Sequence, residues 1–330
     1  MKKENTNKNI SKKVTNKKNI VSLVLIIAVY ILLAVLVENK ILNRQFRSMI
    51  VPIGANIMLA VSLNLVTGFL GELSLGHAGF MAIGAFTGAV FTLNSNLPGL
   101  LEFILAILIG GIVAGLFGFL IGVPVLRLKG DYLAIVTLGF GEIIRSIINS
   151  INFPSGLDPE GVRIMRKGTM GLTGIEIYSN YTWIYIATVI TIIVIVNIVN
   201  SRFGRIMCSI RDNDIASESI GINVSKYKVI TFVIAAFFAG VAGVIYAHNF
   251  AIMMPTEFDY NRSINILVFV VLGGMGSIRG SIIAAILLTV LPEFLRETSQ
   301  YRMLIYSILL IGMMIFNNSD LKHKLIKKKA

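Results

Sequence analysis

The chain has 330 residues, of which 55% are hydrophobic and only 14% charged, with a formal net charge of +13 and a mean hydropathy of +0.79. A soluble domain carries about 25% charged residues, so that class is excluded and a polytopic membrane protein is indicated. Seven lysines lie within Met1–Lys18 and five between Lys322 and Lys329, beside apolar segments. That placement fits the positive-inside rule and anionic lipid, and no aromatic-plus-basic module for nucleic acid is visible. Cys208 is the single cysteine, which excludes a disulfide framework.

In chain order, Met1–Lys18 is a Lys- and Asn-rich tail without apolar periodicity, read as disordered and cytoplasmic. Asn19–Val37 is an apolar first span without a cleavage site. Further apolar segments are Met49–Leu70, His77–Leu93, Leu100–Val125, Asp131–Phe153, Thr182–Asn200, Val229–Phe250, Ile264–Leu272, Ser281–Phe294 and Met303–Phe316. The expectation is an all-α transmembrane domain over 19–316 with about ten transmembrane segments, followed by a basic cytoplasmic tail at 317–330. With both termini inside, 20 of the 30 Lys and Arg fall on the inner side and nine on the outer, with Arg145 inside a span. This places five spans on each side of the polar stretch Pro154–Tyr181, the arrangement of two inverted halves.

Two glycine-rich interruptions occupy comparable places in those halves. The first runs through Gly71, Glu72, Ser74, Gly76 and His77, the second through Gly273, Gly274, Gly276 and Gly280. Such breaks serve close helix packing or line a cavity with unwound backbone. Glu72 and His77 are read as a proton relay or, more readily, as groups bonded to backbone within the broken turn. Thr137, Glu142 and Arg145 add polar groups at membrane depth. Glu142 and Arg145 are three apart on one helix face, which suits an internal ion pair or a place on the translocation pathway.

The polar interruption Ser201–Lys228 lies between spans and carries five basic residues. Asp212, Asn213 and Asp214 cluster where an N-cap and acidic first turn belong, and Gly221 where a helix stops. The spacing predicts a helix of roughly two turns, about 12 Å long, presented at the cytoplasmic face. The plainer alternative is a solvated loop. No G-x-x-x-x-G-K-[ST], H-E-x-x-H or G-x-S-x-G motif is present, so neither ATP hydrolysis nor the familiar hydrolase chemistries are expected, and no metal site is proposed.

Gly204, Arg205, Ser209, Ile210, Arg211, Asn213, Asp214, Ala216, Gly221 and Ile222 reproduce the order G-R-x-x-x-(S/A)-I-R-x-N-(D/E)-x-A-x-x-x-G-I, which resembles the coupling loop of permeases in bacterial ABC importers. G-x-L-S-L-G-H-A-G-F-x-A-I-G-A from Gly71 to Ala85 is similar to a signature of branched-chain amino-acid importer permeases. K-G-D-Y-L-A-I-V-T-L-G-F-G-E-I-I-R from Lys129 to Arg145 is close to their LivM-type subunit, and Gly168–Ile175 and Ser263–Gly280 match in order. The resemblance covers about Met49 to Arg296 and does not include the N-terminal tail.

It implies a subunit of the bacterial cell membrane that imports branched-chain amino acids, with a LivH-type second permease, two ATPase subunits and an extracytoplasmic binding protein as partners. ATP and Mg would belong to the ATPase subunits, with no cofactor in this chain. Gly204, Arg205, Arg211, Asn213, Asp214, Ala216, Glu218 and Gly221 would couple to the ATPase, with Arg211 the expected contact to its surface. Sister permeases for urea or short amides carry similar signatures. A self-sufficient secondary transporter using Glu72, His77, Glu142 and Arg145 is the alternative from another class, and it has no need of a docking helix.

Overall fold

The computed structural model describes residues 44–294 except 96, 129, 158–162, 168–170, 179 and 251, with single residues at 28, 30, 31, 34, 35, 37, 38, 307, 308 and 311. Both basic tails and most of the expected first and last spans lie outside the described residues. So do Lys129 and residues 168–170 of the quoted motifs. The chain divides into two compact units, Met1–Ile50 and Val51–Ala330.

The described chain is built of helices. They are α1 (Arg44–Asn64, continued by a π-turn at Leu65–Leu70), α2 (His77–Asn94), α3 (Gly99–Val125), α4 (Asp131–Ser150) and α5 (Tyr181–Asn200). Then follow α6 (Arg202–Asp212), α7 (Asp214–Ser219), α8 (Val224–Ala247), α9 (Tyr260–Gly273) and α10 (Ile278–Phe294). Eight of the ten expected segments coincide with helices to within a few residues. Among the described residues five helices are long and apolar enough to cross a membrane, at Phe46–Leu70, Gly99–Val125, Asp131–Ser150, Tyr181–Asn200 and Val224–Ala247.

Two departures correct the sequence reading. The segment expected to continue to Phe153 ends at Ser150, and the polar stretch after it holds β1 (Asn152–Leu157) and β2 (Arg163–Lys167), an antiparallel pair. A second short pair joins β3 (Leu172–Thr173) to β4 (Ile252–Met253) across α5–α8. Pro154 and Gly156 disfavour continuing the helix, and strand pairing satisfies the backbone groups that helix termination frees.

The centre is the packed trio α2, α3 and α8. Glycine makes that packing possible, because a Cβ on Gly84 would run into the backbone of Gly240, and one on Gly240 would lie 2.8 Å from the Gly110 carbonyl oxygen. Close backbone approach of this kind holds helices together in a membrane, where apolar burial gives little net drive. By contrast α3, α4 and α5 keep one apolar face exposed, with Leu116, Leu120, Ile135 and Ile190 among its residues. Lipid supplies the remaining contacts of such a face.

Candidate functional site

The site is where the polar loop meets the two glycine breaks. Helix α1 loosens into its π-turn and stops at Gly71, whose φ of 83° is left-handed. The six residues Gly71–Gly76 are not helical, so their N–H groups need partners from elsewhere. The Glu72 N–H donates to the Val66 carbonyl at 3.1 Å. The Leu75 N–H donates to Thr137 Oγ1 of α4 at 3.0 Å, and the Ala78 N–H to Ser263 Oγ of α9 at 3.1 Å. A hydroxyl from α4 thus satisfies the unwound segment, and one from α9 the first turn of the helix after it.

The second break, Gly274–Ser277, lies against the π-turn that precedes the first. Asn64, fully buried near the end of α1, spans the gap: its Oδ1 accepts from the Gly276 N–H at 2.9 Å and its Nδ2 donates to Ser281 Oγ at 3.0 Å. Gly68 sits beside Asn64 and the Gly276 nitrogen, with no room for a side chain. Gly273 meets the backbone of Gly280 in the same way.

The loop Ser201–Lys228 contains two helices where one was expected. The unanticipated one is α6, strongly amphipathic and capped by Ser201, whose Oγ accepts from the Phe203 N–H at 3.1 Å. Its buried residues, Gly204, Met207 and Ile210, recur at helical spacing. The short α7 starts at Asn213, within the acidic cluster, whose Oδ1 accepts from the Ala216 N–H at 2.9 Å. It closes at Gly221, φ 87°, with the Gly221 N–H on the Glu218 carbonyl and the Ile222 N–H on the Ser217 carbonyl. At six residues it is shorter than the expected two turns. Ser209 and Ser217 join the two helices, Oγ to Oγ, at 2.9 Å.

Arg211 is bonded within the chain. Its Nη1 donates to the Gly68 carbonyl of the π-turn at 3.0 Å, and its Nε and Nη2 reach Asp212. The Arg211 side chain leaves no room for a Cβ on Gly71, and its Nη1 lies 3.4 Å from where a Cβ on Gly276 would sit, so Arg211 borders both breaks. At the other end of the loop Lys228 forms a buried ion pair with Glu72. Glu72 thus turns its carboxylate to Lys228, while His77 Nε2 pairs with Ser62 Oγ at 2.8 Å.

The remaining expected residues are dispersed. Ser74 is buried and its hydroxyl has no hydrogen-bond partner. Gly76 packs on the Thr137 carbonyl. Glu142 and Arg145 form the internal pair, Nη2 to Oε2 at 2.6 Å, on a half-buried face of α4. Gly204 abuts the backbone of Val199 at the end of α5, while Arg205, Ala216 and Glu218 are exposed. Sequence reasoning missed Asn64 and Lys228. Asn64 is a polar residue inside an apolar run, a signal that was available. Lys228 was counted only as a charge.

An apolar helical bundle with interrupted helices meeting next to a polar loop defines a membrane transport protein. Residues 45–317 match the family described as the permease component of branched-chain amino acid transport systems, and the chain belongs to that family. It is 37% identical over 290 residues to the high-affinity branched-chain amino acid transport system permease protein LivM of Escherichia coli, covering 80% of this chain and 67% of the relative. The LivM of Salmonella typhimurium is equally similar, at 37% over the same shares. More distantly, the ribose import permease RbsC of Haemophilus influenzae is 24% identical over 96% of this chain and 98% of its own length. No solved structure matches the chain.

Proposed function

We propose that the chain is one transmembrane subunit of an ATP-driven importer of branched-chain amino acids in the bacterial cell membrane. It would work with a second permease, two ATPase subunits holding ATP and Mg, and an extracytoplasmic binding protein. In this reading the chain has about ten spans in two inverted halves, with both termini and Ser201–Lys228 cytoplasmic. The similarity to permeases of branched-chain amino acid systems supports the substrate class.

The observation that carries the mechanism is the double attachment of the loop, through Arg211 to Gly68 and through Lys228 to Glu72. The short α7, with Ile215 and the following Ile220 exposed, is the docking element for the ATPase. Movement of α7 when the ATPase closes is passed by α6 and Arg211 to the π-turn, and by Lys228 to the segment after it. The π-turn and the break Gly274–Ser277, joined by Asn64, then move together, and the unwound Gly71–Gly76 shifts with them. Coupling of this sort runs through a packed element with discrete arrangements.

Uptake of labelled leucine, isoleucine and valine by cells carrying the whole importer tests the reading, alongside co-purification of the ATPase. Uptake that persists without any ATPase partner would favour the self-sufficient transporter, and uptake of urea or an amide in place of leucine the sister system.

A further inference from the structure

A second polar place lies away from the loop. Helices α1, α9 and α10 border a cleft of about 560 Å³, lined among others by Asn56, Asn261, Arg262, Asn265 and Thr289. That volume falls in the range of small-molecule sites. Its floor is built rather than incidental. Arg262 Nη2 donates to Asn56 Oδ1 at 3.3 Å, Asn56 Nδ2 donates to Thr289 Oγ1 at 3.0 Å, and Thr289 Oγ1 donates to the Ala285 carbonyl at 2.6 Å. The guanidinium carbon of Arg262 lies 4.9 Å from the centre of the Tyr246 ring, which fixes its plane.

The charge on Arg262 is only partly offset, by Glu257 nearby. Among the described residues its buried Nε has no hydrogen-bond partner. The acids flanking it in sequence each have another partner as well: Asp259 accepts from the Arg262 backbone N–H at 3.0 Å and from Asn261 Nδ2 at 2.8 Å, and Glu257 accepts from the Tyr246 hydroxyl at 3.3 Å. Among the described residues no carboxylate is within ion-pair distance of the guanidinium. A half-buried cation with a spare donor is costly unless an anion completes it. Ile266, Phe269 and Leu288, on the same wall, are apolar and buried.

We infer that this cleft is a transit subsite in which Arg262 takes the carboxylate of an amino acid while the apolar wall accepts its aliphatic side chain. The assignment rests on the proposed function and adds the group that recognises the substrate inside the permease. Asn56 acts as a positioning residue, since it aims the guanidinium without supplying the charge.

The test is the labelling rate of a single cysteine in the cleft, Asn265→Cys in a Cys208→Ser background, in membranes carrying the whole importer. An anionic methanethiosulfonate reagent should react faster than a cationic one by roughly tenfold, the focusing effect of a charge in a low-dielectric cleft. Millimolar leucine should slow the reaction, and leucinol, which keeps the side chain but lacks the carboxylate, should not. Arg262→Gln should abolish both the charge preference and the protection, and Arg262→Lys should keep the preference. Equal protection by leucine and leucinol, or rates unchanged in Arg262→Gln, would overturn the subsite. Leucine uptake by the unmutated importer is scored separately. Uptake with no protection refutes the subsite alone, and no uptake with no protection refutes it together with the leucine reading.

Discussion

Arg211 and Gly68 are joined by a hydrogen bond of 3.0 Å from a guanidinium in the polar loop to a carbonyl in the π-turn of α1. That carbonyl is available because the π-turn and Gly71 leave the regular helical ladder. The bond therefore ties the loop to the place where the first helix is easiest to rearrange.

Arg211→Gln is expected to leave folding nearly intact, because the side chain is 40% exposed and an exposed ion pair is worth only about 0–1 kcal/mol. The ATPase should still co-purify with the mutant permease, while leucine uptake per ATP hydrolysed drops. Loss of the ATPase together with uptake would return Arg211 to a direct contact with the partner surface.

Lys228 is buried and Glu72 nearly so, with side chains 7% and 13% exposed, so removing one partner strands the other. Lys228→Met or Glu72→Gln should each destabilise the permease by about 3–5 kcal/mol, and the double variant should recover much of the loss. Thermal unfolding in detergent, followed by loss of monodisperse protein, reads this out. Additive losses in the double variant would show that the two residues act independently.

Gly221→Val places a β-branched residue at φ 87°, where such a side chain is a steric outlier. Nothing lies within 4 Å of its Cβ position, so the whole penalty is conformational, about 1–2 kcal/mol. The expected result is normal insertion and permease pairing with reduced ATPase recovery. Gly221→Asn, which tolerates the left-handed region, should be milder.

Glu142→Gln leaves Arg145 without its carboxylate in a half-buried setting. Assembly should suffer, and Glu142→Gln with Arg145→Gln should restore it. A double variant that assembles but does not transport would move the pair from structure to the pathway.

Orientation is tested with single cysteines at Ser155 and Ser225 in a Cys208→Ser background. On intact cells an impermeant thiol reagent should label Ser155→Cys and spare Ser225→Cys. The reverse pattern inverts the proposed topology.

The sequence by itself determined the membrane class, the helix positions and the caps of α7. Those features depend on short-range physics: apolar runs set the helix lengths, Asn213 bonds an N–H three residues on, and Gly221 answers a local backbone angle. The pair Glu142–Arg145 was legible for the same reason, one helical turn separating its members. The helix α6 was not, because its polar composition masks an amphipathic period of only three buried residues. Tertiary structure alone decided which partners Arg211, Lys228 and Asn64 take. Arg211 meets Gly68 across 143 residues and Asn64 meets Gly276 across 212. Hydropathy marks a polar residue at membrane depth as in need of a partner, but the identity of that partner follows from how the glycine contacts at Gly68, Gly84 and Gly240 let the helices approach.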